Sequence, residues 1–365
     1  MNIILYISFL ILVLVILFLI ITISTKKTYS NKLLNVLFTS IVIALCCIGY
    51  YIEPLKTTDL YRHFITIDEI RLYGFNTISS VDNIFVIKLL FYFIAKLNNN
   101  YLLASVSTFI TYTIFFAILY DKNKKEKKPT FYISYCIILF FALCNYYYVT
   151  TGIKNCLAFS TLGLAILLEE SKKKKISKCL MICSIFMHGS SLFIILLYYL
   201  TKINFLKGKK RYFILFIAPL TGIIENIFSR IPISIFQYIA SKIELYLLSE
   251  FTSGNQLVLF LDILFCALMI LRCDKLLKSN LNSYEQSIIN TIHIVAIFSI
   301  GSLAISKVII ERMLMFIAFL IPDFISISLK QNKIKKTIVF DIIYSLAIIS
   351  YYIVRLISHT DFIML

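Results

Sequence analysis

The chain has 365 residues, of which 60% are hydrophobic and only 15% charged, and it carries a net charge of +17 at pH 7. Soluble domains are about half apolar and about a quarter charged, so an assembly of two or three soluble domains is excluded. The basic residues lie between the apolar stretches, which makes them a membrane-topology signal and excludes a nucleic-acid footprint.

A span needs about 20 apolar residues. The apolar runs fall at 3–23, 33–52, 83–97, 101–120, 130–149, 151–168, 178–200, 212–229, 257–272, 287–306, 308–329 and 337–357. They are continuous rather than alternating, which excludes a β-barrel. The prediction is an all-α polytopic transmembrane bundle with about 10–12 hydrophobic segments, forming one integral membrane domain over residues 1–365. The first run has no basic stretch ahead of it and no small-residue cleavage site behind it, so it reads as a retained span and not a signal peptide.

Six loops hold 25 of the 36 basic residues, at 24–32, 121–128, 170–178, 201–211, 272–286 and 330–336. Cytoplasmic loops accumulate Lys and Arg, so all six are placed on the cytoplasmic side. Two runs conflict with simple counting. Run 83–97 is short and carries Lys88 and Lys96; it reads as a partial or re-entrant element on the outer side, ending at Asn98–Asn100. Run 178–200 has basic loops on both flanks, and Phe186-Met187-His188-Gly189-Ser190-Ser191 in its middle predicts a broken helix or helical hairpin. Irregular backbone at that depth requires cover by protein or by a water-filled cavity. The alternative is that one basic loop faces outward.

The outer face then comprises residues 53–82, 150–156, 230–256 and 307–312. The loop 53–82 balances Lys56, Arg62 and Arg71 against Glu53, Asp59, Asp68, Glu69 and Asp82, unlike any of the basic loops. Segment 230–256 is apolar but broken by Gln237, Lys242, Glu244 and Glu250, and reads as an amphipathic interfacial helix acting as a lid or lipid contact. The nine cysteines lie in or beside apolar runs with no His at ligand spacing, so they read as small packing residues and no metal site is expected. No nucleotide loop, zincin or Gly-x-Ser-x-Gly pattern occurs, and no cofactor is expected.

Ionisable residues at span edges are costly and point to function. Four groups qualify: Asp59-Leu60-Tyr61-Arg62-His63-Phe64; Gly152-Ile153-Lys154-Asn155-Cys156-Leu157-Ala158; His188; and Lys307 with Glu311-Arg312-Met313. Each has a bland counterpart: a solvated loop helix, a snorkelling Lys, a satisfied core histidine, or an internal Glu311–Arg312 pair. Together they place Asp59, Arg62, Lys154, His188 and Arg312 on the outer side. Several cations around a few acids suit a diphosphate-linked lipid, because Arg binds phosphate bidentately and Lys acts as a point charge.

At these residues the chain resembles the EpsG family of Wzy-type polysaccharide polymerases. Asp59-Leu60-Tyr61-Arg62-His63-Phe64 is similar to the family's Asp-Tyr-Tyr-x-Tyr-like outer motif. Gly152 to Ala158 follows its Gly-x-Arg-Gln-x-x-Ala pattern, with Lys154-Asn155 in place of Arg-Gln. His188-Gly189-Ser190-Ser191 resembles its His-x-Ser-Ala-like motif, and Arg312 with Phe316 its late Arg followed by aromatics. The order of motifs agrees from about residue 30 to 330.

The resemblance implies a polymerase in the bacterial cytoplasmic membrane that joins undecaprenyl-diphosphate-linked repeat units at the outer face, toward a capsule, O-antigen or exopolysaccharide. Its implied partners are the lipid-linked units, membrane lipid, and a chain-length regulator and flippase of the same pathway. Arg62, Lys154, Asn155 and Arg312 would bind diphosphate, and His188 or Asp59 would be the general base. The rival readings are a metal-dependent polyprenyl-phosphate-sugar glycosyltransferase using Asp59, Asp68 and Glu69, a membrane acyltransferase with His188 as base, and a lipid-linked oligosaccharide flippase. A flippase would need charges along a full transbilayer path, whereas these cluster at one edge.

Overall fold

The computed structural model describes residues 30–54, 56, 58–74, 84–126, 130–202, 208–217, 256–304 and 306–331. The expected spans at 3–23 and 337–357 and the interfacial helix at 230–256 lie outside these residues, apart from Gln256. Among the described residues there are helices and no strands, in agreement with an all-α polytopic protein. Among the described residues, three helices are long and apolar enough to cross a membrane: Asn31–Tyr50, Leu102–Glu126 and Gln256–Leu277. The chain forms two compact units, residues 1–193 with 318–365, and residues 194–317.

The first unit begins with α1 (Asn31–Tyr50), capped by the Ser30 side chain, which accepts from the Leu33 N–H. A hydroxyl at this position satisfies one of the orphan donors of the first turn. Three more elements follow: α2 (Asp59–Tyr73), α3 (Phe85–Lys96) and α4 (Leu102–Glu126). Gly49 of α1 lets that helix approach α4 closely, since a Cβ there would lie 3.3 Å from the backbone of Ala104 and Ser105. Ser105 Oγ donates to the Cys46 carbonyl, and Phe38 stacks on Phe116 with ring centroids 4.6 Å apart.

Helix α3 has only 12 residues, about 18 Å at 1.5 Å per residue, which is too short to span. The far end of α2 is tied to the turn before α4: Arg71 pairs with Asp68 and donates to Asn100, whose amide donates to Asp68 at 3.0 Å. Asp68 and Arg71 therefore serve structure.

Then come α5 (Thr130–Leu143), α6 (Tyr146–Thr151), α7 (Ile153–Glu170), α8 (Lys174–Met187) and α9 (Ser190–Leu200). Run 130–149 is thus two helices. Asn145 interrupts it, because its side chain accepts from the Tyr148 N–H and starts a new helix. Run 178–200 is broken where expected: α8 stops at Met187, and His188 is extended with φ −159° and ψ 129°. Helices α7 and α8 form a hairpin whose turn places Lys172 at φ 66°.

The C-terminal end of α4 meets the last described helix of this unit, α14 (Ile321–Gln331), through Lys122, whose ammonium lies 2.7 Å from Asp323 and 2.8 Å from Glu126.

The second unit contains a short 3₁₀ turn (Gly208–Phe213), α10 (Ile214–Ile217), α11 (Gln256–Leu277), α12 (Ser283–Gly301) and α13 (Lys307–Ala318). A capping box between Asn282 and Glu285 opens α12. Run 308–329 is also two helices: α13 ends at Ala318 and α14 restarts at Ile321, with Pro322 in its first turn, where a missing N–H costs nothing. Arg211 is buried beside α12, donating from Nη1 to Asn290 at 3.1 Å and to His293 Nδ1 at 2.8 Å.

Candidate functional site

The site builds up around α2, the helix that opens with Asp59. Its buried positions are Leu60, His63, Ile67 and Ile70, an i, i+3, i+4 spacing that forms one apolar stripe. That stripe packs with Ile87, Phe91 and Ile94 of α3, Leu103 and Ala104 of α4, and Ile153 and Leu157 of α7; Met187 packs against the same cluster. One hydrophobic cluster therefore holds together the start of α2, the start of α7 and the end of α8, three of the four places from which the sequence predicted chemistry.

Asp59 sits in the first turn of α2, where a negative charge is favoured by the helix dipole. Arg62 Nη1 reaches Asp59 Oδ1 at 3.1 Å, with the two side chains 71% and 56% exposed. A pair so exposed adds little to stability, so neither charge is consumed by the fold. His63, one residue on, is only 6% exposed. Its ring lies 5.2 Å from that of Phe91. Burial first, then the charges of Lys154 and Arg62, push its pKa down to about 3. Lys154 of α7 and Arg62 of α2 are thus both within electrostatic reach of one buried imidazole. Tyr147 of α6 lies within electrostatic reach of Asp59.

Lys154 and Asn155 occupy the first turn of α7, directly after the kink at Gly152. The glycine is required by close approach: a Cβ there would lie 3.0 Å from the Tyr148 carbonyl oxygen, which accepts from the Gly152 N–H at 2.8 Å. The kink separates α6 from α7 and sets the first turn of α7 beside α2. Asn155 is half-buried, and its Oδ1 is enclosed without a hydrogen-bond donor among the described residues. Buried polar atoms are normally paired, so an enclosed acceptor at this place calls for a ligand donor or a water.

His188 follows Met187 at the break between α8 and α9. Its Nδ1 accepts from the Ser190 backbone N–H at 3.2 Å and lies 2.6 Å from Ser190 Oγ. Arg312 is half-buried on α13 and belongs to the second unit; Lys307 opens the same helix.

Of the residues expected from the sequence, the first unit therefore gathers Asp59, Arg62, Lys154 and Asn155 near one end of α7, with His188 next to a residue of the same cluster. The sequence reading passed over His63 as a functional residue. The available signal was its place four residues after Asp59, on the apolar stripe of an otherwise polar helix. Asp59 and Asp68 are nine residues apart on one helix, roughly 13 Å along its axis, so they cannot share an ion. Among the described residues no three His, Cys, Asp or Glu side chains cluster as metal ligands.

Comparison with known families gives a match to the model of the EpsG family over residues 57–364. No curated protein and no solved structure matches the chain.

Proposed function

Because the chain belongs to the EpsG family, a family of Wzy-like polysaccharide polymerases, we propose that it polymerises undecaprenyl-diphosphate-linked repeat units at the outer face of a bacterial cytoplasmic membrane. Residues 1–365 act as one integral membrane domain, and the lipid-linked units reach it from a flippase, with a chain-length regulator as a further partner. The observation that carries this reading is the placement of Arg62 and Lys154 on two different elements around one uncharged imidazole, beside the enclosed acceptor of Asn155. Two cations converging from separate helices suit a diphosphate, and an unpaired amide oxygen suits a sugar hydroxyl.

The chemistry transfers the growing chain from one diphosphate to a hydroxyl of the next unit. The diphosphate is already a good leaving group, so the protein has to stabilise its developing charge and align two bulky substrates. Lys154 and Arg62 take the phosphate oxygens, and Asp59 orients Arg62 through their ion pair. His188, at the break between α8 and α9, takes the proton of the acceptor hydroxyl, with Asp59 as the alternative base.

A divalent-metal glycosyltransferase is less well supported, because the carboxylates it would use lie far apart along α2 or are engaged by Arg71 and Asn100. The test uses the purified chain in vesicles of phosphatidylethanolamine and phosphatidylglycerol, supplied with the lipid-linked oligosaccharide fraction extracted from cells that lack it. A ladder of lengthened chains, formed equally well in EDTA, is expected. Failure to elongate removes the proposal, and elongation abolished by EDTA favours the metal-dependent rival.

A further inference from the structure

We propose that the turn joining α7 to α8 binds the headgroup of an anionic phospholipid, whose acyl chains lie along the exposed face of α8. The inference goes beyond the polymerase reading and does not depend on it. Residues 169–178 hold five lysines, Lys172, Lys173, Lys174, Lys175 and Lys178, against Glu169 and Glu170. All five lysines are exposed. Among the described residues none of their side chains makes an ion pair or a hydrogen bond, so neither glutamate neutralises them. The turn therefore presents a compact, uncompensated positive surface.

Local structure does not select lysine at these positions. Helix α7 ends in a Schellman-type turn, in which the Lys172 N–H donates to the Glu169 carbonyl and the Lys173 N–H to the Leu168 carbonyl. Lys172 takes the left-handed position of that turn, with φ 66°, where glycine is favoured because it has no Cβ to clash. Lys174 and Lys175 open α8, whose first turn holds no acid and whose dipole opposes cations there. Like charges packed this closely also repel. An anion held among the five offsets both the dipole and the repulsion, with each Lys acting on it as a mobile point charge.

The adjoining surface favours a lipid over a free phosphate. On α8, Ser177, Met181 and Ser184 are buried, while Ile176, Cys179, Ile182 and Phe186 on the opposite face are exposed. Lys175 and Lys178 precede Cys179 and Ile182 by four residues each, so the cations stand one turn from the apolar stripe, at its end. A stripe of this kind, ending in unpaired lysines, matches an acyl chain ending in a phosphate; a free anion would leave the stripe uncovered. The 14 residues of α8 run for about 21 Å, enough to line a chain through one leaflet of a core roughly 30 Å thick. The hairpin also ties this contact to the site: its closed end is the lysine turn, and its open end carries Lys154 and Asn155 at the start of α7 and His188 after α8. A headgroup held at the closed end sets the depth at which the open end rests.

Binding is read directly, by fluorescence anisotropy, with the purified full-length chain in neutral detergent and phosphatidylglycerol or phosphatidylcholine labelled on one acyl chain. The wild type is expected to prefer phosphatidylglycerol. The triple variant Lys174→Gln, Lys175→Gln, Lys178→Gln is expected to bind it about 100-fold more weakly, at roughly fivefold per charge. The same loss of charge in other basic loops, by Lys32→Gln, Lys275→Gln and Lys278→Gln, should leave the affinity within about threefold, since distant charges are screened. Lys172→Gly relieves the left-handed backbone and should weaken binding about fivefold without lowering the unfolding temperature.

Equal affinity of the wild type for the two lipids overturns the proposal and assigns the lysines to an acidic protein partner instead. A folded triple variant that keeps its affinity for phosphatidylglycerol also overturns it. So does a control variant that loses as much, because the effect is then one of net charge. If the triple variant does not fold, judged by its thermal unfolding, Lys172→Gly decides. A wild type that prefers phosphatidylglycerol but elongates nothing removes the polymerase reading and leaves this site standing.

Discussion

Lys154 holds the second position of α7, where the helix dipole disfavours a cation by about 0.3–1 kcal/mol. Snorkelling alone would not select a lysine there; an anion beside it would. Lys154→Ala is expected to abolish polymer and leave single lipid-linked units to accumulate, with a rate loss of about 10²–10³ for one lost contact to a developing oxyanion. Lys154→Arg keeps the charge and should stay active. Both outcomes are read from the chain-length ladder of cells expressing each variant at equal level.

His63 makes a second prediction at this scale. Its pKa is about 3 in the folded chain against roughly 6.5 when unfolded, so between these values the unfolded state binds the extra proton and the folded state does not. Stability must therefore fall as pH drops from about 6.5 towards 3. Thermal unfolding in detergent across that range should show a decline that is flatter in His63→Gln.

Among the elements, the junctions matter more than the helices. Gly163 of α7 lies against Phe319, where an added Cβ would come within 2.6 Å of the Phe319 Cβ. Neither atom is the flexible end of a side chain, so the backbones must separate. Gly163→Ala is expected to cost about 1–3 kcal/mol, the usual range for overpacking, and to lower the unfolding temperature in detergent. Replacing Phe319 by Ala as well should not restore the loss, because the Cβ that the new methyl meets is still there.

Sequence periodicity located the helices but not all their breaks. Run 178–200 announced its interruption through His188-Gly189, yet runs 130–149 and 308–329 hid theirs. Asn145 and Pro322 are ordinary residues within apolar runs, and only the side-chain cap on Tyr148 and the restart at Ile321 reveal that they begin new helices. The brevity of α3 was legible, because Lys88 and Lys96 break up the run.

For the whole molecule, the placement of the basic loops makes the remaining prediction. If 170–178 and 201–211 are both cytoplasmic, α8 and α9 together do not cross the membrane. Single cysteines placed in each loop of a cysteine-free variant should then be labelled only after the membrane is permeabilised. Labelling of the two from opposite sides would invert the later topology.

By itself, the sequence determined the solvent and the class of this protein. Continuous apolar runs cannot be buried in water-soluble domains of this length, and clustered lysines orient the segments between them. It also determined the order of the motifs and singled out the candidate cationic residues, because charges at span edges stand out against apolar surroundings. Only the tertiary structure decided which of these residues meet. The apolar stripe of α2 draws His63 under Arg62 and against Phe91, and the kink at Gly152 brings Lys154 beside it. The Ser190 N–H in turn meets His188 at Nδ1, at the break between two helices. Packing and hydrogen-bond direction are properties of residues far apart in sequence, and no local pattern encodes them.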